Sequence, residues 1–233
     1  MNLVRYFKES THPFYGSVVA LVMFLCYEVL LVAEPFGAHG QIRNAPEAWV
    51  RTIIAYLGVA PQYLTFVMIT FSLLALAWFS RTIGKVQWSF LAVLVVESMC
   101  WGAVSGVLIQ LILGSLFFSA TTMAGGTLTQ LGLSVGAGLF EELFFRVFLT
   151  TLLFWGFTKL MPFRVLPMLV AVVCSALLFS ASHYIGSLGD PLELYSFMFR
   201  FAAGLWFTTL FATRGFAVVS LTHGFYDIFL VLS

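Results

Sequence analysis

Apolar residues run along this chain in long blocks, not in the strict alternation or one-sided stripes of a soluble fold. A block of about 20 such residues is long enough to cross a bilayer as a helix. Taken in order, the blocks predict spans at residues 14–33, 63–79, 88–118, 128–159, 165–183, 194–212 and 216–232. The pattern shortens once, at 46–59. A helix there is about 20 Å long at ~1.5 Å per residue, too short for a hydrocarbon core of about 30 Å. Trp49, Arg51 and Tyr56 suit a helix lying at the interface. Asn44 and Glu47 have the spacing of a capping box in front of it, and Pro46 fits its first turn. The third block is about 45 Å long if wholly helical, so it must tilt, bend or protrude. Its Gly102 and Gly106 form a GxxxG pair that permits close helix approach. Pro35, Gly37 and Gly40 mark one loop, residues 121–126 a polar break and 186–191 another loop. The fold class is all-α: a polytopic transmembrane helix bundle of about seven spans plus one interfacial helix.

Composition sharpens this reading. The chain has 233 residues, 61% hydrophobic and 9% charged, where a soluble domain carries about 25% charge. A net charge of +1 leaves no footprint for nucleic acid. Cys26, Cys100 and Cys174 each lie inside an apolar block, with no CxxC, and read as small core residues. Arg5 and Lys8 before the first block resemble the start of a signal peptide. The block is long, contains Glu28 and lacks a clear cleavage site, so an uncleaved first helix is expected.

With seven spans, Arg5, Lys8, Arg81, Lys85, Lys159, Arg164 and Arg214 fall on one side, and only Arg43 and Arg51 on the other. The positive-inside rule then puts the amino terminus in the cytoplasm. The expected location is the inner (plasma) membrane of a bacterium, with the lipid bilayer as the standing partner.

Charge inside the apolar blocks is where chemistry is to be sought, because each such group costs at least ~2.5–3.5 kcal/mol at mid-bilayer. Glu141, Glu142 and Arg146 lie together in the fourth block. On a helix Glu142 and Arg146 share a face and can pair, while Glu141 points elsewhere with no partner nearby in sequence. His183 closes the fifth block. His223 and Asp227, four apart, share a face of the seventh. Glu28 and Glu97 stand alone in their blocks and read as structural polar contacts. The three groups would bring carboxylates and imidazoles into one bundle interior. No GxSxG serine context and no HExxH zinc helix is present. A glutamate in a low-dielectric site can act as general base on water, and histidines can hold a metal or donate to a developing oxyanion. Both suit hydrolysis of an acyl bond.

Glu141-Glu142-x-x-x-Arg146, Phe179-x-x-x-His183 and His223-x-x-x-Asp227, in that order, resemble the three motifs of the CPBP (Abi) intramembrane proteases. That family includes the type II CAAX prenyl endopeptidases and bacteriocin-processing or immunity proteins. The resemblance implies a protease core at 88–233, with spans at 1–87 more variable. It implies an endopeptidase acting on a membrane-associated or exported peptide or protein. Glu141 would activate water, assisted by His183; Glu142 would pair with Arg146 or assist; His223 and residue 227 would stabilise the oxyanion. The CAAX enzymes carry Asn at the last position. Asp227 departs from them, and a carboxylate donates only when protonated. A metal-free glutamate mechanism is favoured, with no cofactor. The alternative is a divalent metal such as zinc held by Glu141, His183 and His223.

Two other functions stay open. A non-catalytic immunity or scaffold protein of the same fold would be expected to lose motif residues, and all are present here. A proton-coupled transporter would be expected to show internal repeats, and none is seen. Counted along the helices from the basic ends, the polar groups fall between the midplane and the outer leaflet. That favours a cleft opening on the non-cytoplasmic face and an exported substrate.

Overall fold

In the computed structural model of the chain, residues 3–34, 42–83, 85–113, 126–163, 165–186 and 189–232 are described. They are all-α, with no strand among them. A short surface helix, α1 (Leu3–Glu9), leads into α2 (Pro13–Ala33). Then follow α3 (Ala45–Tyr56), α4 (Tyr63–Ser80) and α5 (Trp88–Leu113). The long fourth block is one unbroken rod in three parts: α6 (Thr127–Gly136), a π-helical segment (Ala137–Thr150) and α7 (Thr151–Leu160). The chain closes with α8 (Leu166–Ser182) and α9 (Leu194–Leu232).

Four helices are long and apolar enough to cross a bilayer: Pro13–Ala33, Tyr63–Ser80, Trp88–Ile109 and Leu194–Leu232; Leu166–Ser182 is apolar but shorter. The protein is therefore an integral, multi-pass membrane protein. This count is coarser than seven for two physical reasons. The fourth block changes helix type midway, so neither of its α parts is long enough alone. The sixth and seventh blocks run together in α9, folded in two at Gly215, whose φ of 76° and ψ of −179° belong to a region open essentially to glycine alone. Phe207 and His223, sixteen residues apart, stack with ring centroids 4.6 Å from each other. A straight helix would hold them about 24 Å apart. The two limbs of α9 therefore lie side by side.

Arg214 clamps this bend. Its guanidinium grips Glu97 with Nε to Oε1 at 2.7 Å and Nη2 to Oε2 at 2.8 Å, and also donates to Phe7 O and Ser10 Oγ. Tyr6 and Trp101 donate to the same carboxylate. Glu97 is thus the structural contact expected. Arg214, counted above as a free loop charge, is instead neutralised where α1, α5 and α9 meet.

The core is built from α2, α5, the π segment and both limbs of α9, through residues such as Tyr27, Leu94, Phe140, Phe207 and Val218. Gly138 decides how the π segment meets α9. A Cβ there would strike Ser220 O and come within 2.7 Å of Gly224 N, so the two backbones touch. That approach brings the acidic motif up to the second histidine. Gly102 packs the same way against Phe225 and Tyr226, and its Cβ would lie 3.1–3.3 Å from that limb.

A cavity of about 840 Å³ opens between α2, α4 and the bend of α9; it meets the π segment at Leu139, Leu143 and Val147, not at the motif's charged residues. The breaks expected at Pro35, Gly37 and Gly40 and at 121–125, the end of the third block beyond 113, and the charge of Arg164 lie outside the described residues.

Candidate active site

The π segment carries Glu141, Glu142 and Arg146, all buried. A π-helix bonds i to i+5 and is rare, and it is found most often at functional sites. Here side chains hold the loosened backbone. Thr150 Oγ1 reaches back to Phe145 O at 2.7 Å, and Ser175 Oγ of α8 donates to the same carbonyl at 2.9 Å. The wider winding changes the expected geometry. Arg146 is within electrostatic reach of both carboxylates, not of Glu142 alone.

Glu142 is fully occupied on one oxygen. Its Oε1 lies 3.1 Å from Arg146 Nη1 and 2.7 Å from His223 Nδ1. The Arg146 contact is an ion pair at a poor hydrogen-bond angle, since none of the three guanidinium nitrogens makes a directed bond. The guanidinium instead lies over the Phe179 ring, 4.4 Å from its centroid, a cation–π contact in a dry setting. Phe179 is the first residue of the second motif, so its role is to seat Arg146. It also meets Phe145 edge-on at 5.2 Å and His183 at 4.9 Å.

The histidines are oriented by different means. His183 Nδ1 is 2.9 Å from Phe179 O. A carbonyl only accepts, so Nδ1 carries the proton and Nε2 keeps its lone pair. His223 is held by Glu142 at Nδ1, by stacking on Phe207 within 16° of parallel, and by Asp227 Oδ2 at 3.6 Å from Nε2. The first motif and the third are therefore joined directly by a carboxylate–imidazole contact that their spacing along the chain does not show.

Glu141 differs from the other two carboxylates. Its bonding partner is neutral: Asn44 Nδ2 donates to Oε1 at 3.2 Å. It sits within electrostatic reach of His183, His223 and Asp227. All six residues picked out in the sequence thus gather in one place. Glu141, with no partner nearby in sequence, finds one 97 positions earlier in Asn44.

Asn44 corrects the expected capping box. It stands at the N-cap of α3 but makes no capping bond, because its side chain is turned to Glu141. The capping box is not formed. Glu47, its expected other half, is 2% exposed and anchors a polar knot. Tyr27 OH donates to Glu47 Oε2 at 2.5 Å, Arg51 Nε to Oε1 at 2.7 Å, and Arg43 pairs with both Glu47 at 3.3 Å and Glu28 at 2.6 Å. Glu28 is therefore paired and not alone. Burial works against the Arg43 charge, but Glu28 and Glu47 outweigh it and hold the guanidinium above its ordinary range. The helix expected to float at the interface is tied to the bundle, with Trp49 edge-on to Phe144 at 5.6 Å. A buried Asn beside a Glu-Arg cluster was the one signal in the sequence for this, and helix-cap spacing masked it.

Residues 124–229 match the family described as Type II CAAX prenyl endopeptidase Rce1-like. These residues form a domain of the CPBP (Abi) family. No curated protein and no solved structure matches the chain. The match takes in all three motifs and implies a CAAX-type protease with a protein substrate. It begins at 124, so residues 88–123, expected within the core, lie outside it, as do α2, α3 and Asn44.

Metal chemistry was the alternative for this site. Among the described residues no three His, Cys, Asp or Glu side chains are gathered as ligands. His223 faces a carboxylate at each ring nitrogen, Glu142 at 2.7 Å from Nδ1 and Asp227 at 3.6 Å from Nε2. The donor set as placed does not fit a metal.

Proposed function

We propose that this protein is an intramembrane endopeptidase in which Glu141 activates water for attack on a peptide carbonyl. The observation that carries this reading is the unequal bonding of the two adjacent glutamates. Glu142 Oε1 is spent on the charged Arg146 and on His223, with its Oε2 buried and unpartnered among the described residues, whereas Glu141 accepts among the described residues from one neutral amide alone.

Glu141 takes a proton from water as the new C–O bond forms. His183 stands within electrostatic reach of Glu141 and assists as a second acceptor for the proton that Glu141 takes. His223 bears a proton at Nδ1, toward Glu142. Its Nε2 faces Asp227, and two bare lone pairs would repel, so one proton lies between them. That proton can move to the developing oxyanion and comes back to the pair when the C=O bond reforms, which answers the difficulty that Asp227 donates only when protonated. When the C–N bond breaks, Glu141 returns its proton to the leaving amine. Glu142 and Arg146 hold the frame.

We further read the chain as seven spans with α3 docked across the site, the amino terminus cytoplasmic and the cleft facing outward. Purified protein with a panel of prenylated and unprenylated membrane peptides tests the reaction. Glu141→Gln is expected to abolish cleavage while folding normally, and full activity in it would remove the assignment. A transporter or an inert scaffold would cleave nothing in either form.

A further inference from the structure

We propose that Asn44, outside the family domain, is the positioning residue for Glu141. This inference rests on the proteolytic reading and extends the machinery into the variable part of the chain. Asn44 is 8% exposed and stands where a helix cap belongs. Asparagine at that place ordinarily accepts from the first turn of its own helix. It forgoes that bond, and its Nδ2 donates to Glu141 Oε1 at 3.2 Å. The contact fixes one carboxylate oxygen and aims the other, Oε2, as the basic atom.

A second observation points to a ligand. Asn44 Oδ1 is buried and has no partner among the described residues. An orphaned acceptor beside a general base is where a water gives its second proton. The attacking water is then held between Asn44 Oδ1 and Glu141 Oε2, with its lone pair free to attack.

The placement of Asn44 is itself enforced. Its backbone N–H donates to Tyr27 OH at 3.2 Å, and Tyr27 passes its own proton to Glu47, which Arg51 and Arg43 hold. Pro46 follows two residues later and fits the first turn of α3. α2 and α3 together thus act as a jig for one side chain.

Asn44→Ser separates this role from a structural one. Serine caps a helix as well as asparagine does, but it is too short to reach Glu141. In detergent-purified protein the variant is expected to melt no lower than the parent. On a cleaved membrane peptide it is expected to lose kcat by roughly tenfold or more, part of the 10²–10⁴ that a general base contributes. KM should stay within about twofold, the signature of an interaction used only in the transition state. A readout without substrate runs beside it. The infrared carboxylate band of Glu141, identified as the band that Glu141→Gln removes, is expected to shift in Asn44→Ser. An unmoved band, or full kcat in Asn44→Ser, overturns the inference. A parent that cleaves no peptide would overturn the proteolytic reading instead, and full activity in Glu141→Gln the role of Glu141 as base; either would leave the infrared result to decide the contact.

Discussion

Removing the Glu142 carboxylate should cost more stability than removing Glu141, and the structure sets the size. Arg146 and Glu142 are both 0% exposed and 3.1 Å apart. Breaking a buried pair by deleting one partner costs about 3–5 kcal/mol, because the remaining charge is left in a dry interior. Two features place Glu142→Met near the lower end. The guanidinium keeps its seat on Phe179 at 4.4 Å, a contact worth up to ~2 kcal/mol when desolvated, and Glu141 remains within electrostatic reach. Arg146→Met should sit higher in the range, since it leaves Glu142 with only His223. The double variant replaces the pair by two flexible apolar side chains, and such replacements are often neutral or better. It should recover most of the loss, costing less than either single variant and far less than their sum. It should remain inactive, because His223 loses the acceptor at Nδ1. Equilibrium unfolding in mixed micelles measures all three variants, and the peptide assay is run on the same samples. If each single variant cost under about 1 kcal/mol, or the double equalled the sum of the singles, the pair would not be the brace described here.

Two further outcomes are expected. Active protein should carry no stoichiometric transition metal and should keep its activity after chelation, as elemental analysis and dialysis against a chelator would show; zinc that switches activity off on removal and on again when restored would return the site to Glu141, His183 and His223 as ligands. A single cysteine at Asp190, in protein freed of Cys26, Cys100 and Cys174, should react with an impermeant thiol reagent in intact cells; labelling only after lysis would invert the proposed orientation.

The helices were legible because apolar block length is a direct consequence of bilayer thickness. The blocks at 14–33, 63–79 and 165–183 match α2, α4 and α8 to within a residue or two. The motif residues were legible because charge in such blocks is costly enough to need a reason. What the sequence hid were contacts between distant segments. Nothing in the spacing of Glu142 and His223 says that they touch; the contact depends on Gly138 lying against Ser220 and Gly224. The π winding was hidden too, since its stabilising bonds come from Thr150 and from Ser175 on another helix. Asn44 was misread for a local reason. Its capping-box spacing is a true helix-start signal, and α3 does begin there, but the side chain is turned into the bundle, where its Nδ2 donates to Glu141.

The arrangement also accounts for why the segment before residue 124 cannot be neutral padding, although it lies outside the family match. Three carboxylates and three cations of this chain are held in two separate knots. Glu97 with Arg214 fixes the bend that sets the two limbs of α9 side by side, and so brings Phe207 against His223. Glu28 and Glu47 with Arg43 and Arg51 fix α3 over the π segment, and so bring Asn44 to Glu141. Each knot lies away from the reacting groups, and each sets the position of one of them. Glu141 and His223 are therefore placed by different parts of the chain. A variant in either knot should disturb one half of the site and leave the other half in register. That division lets the amino-terminal spans change around the cleft while the three motifs keep their geometry.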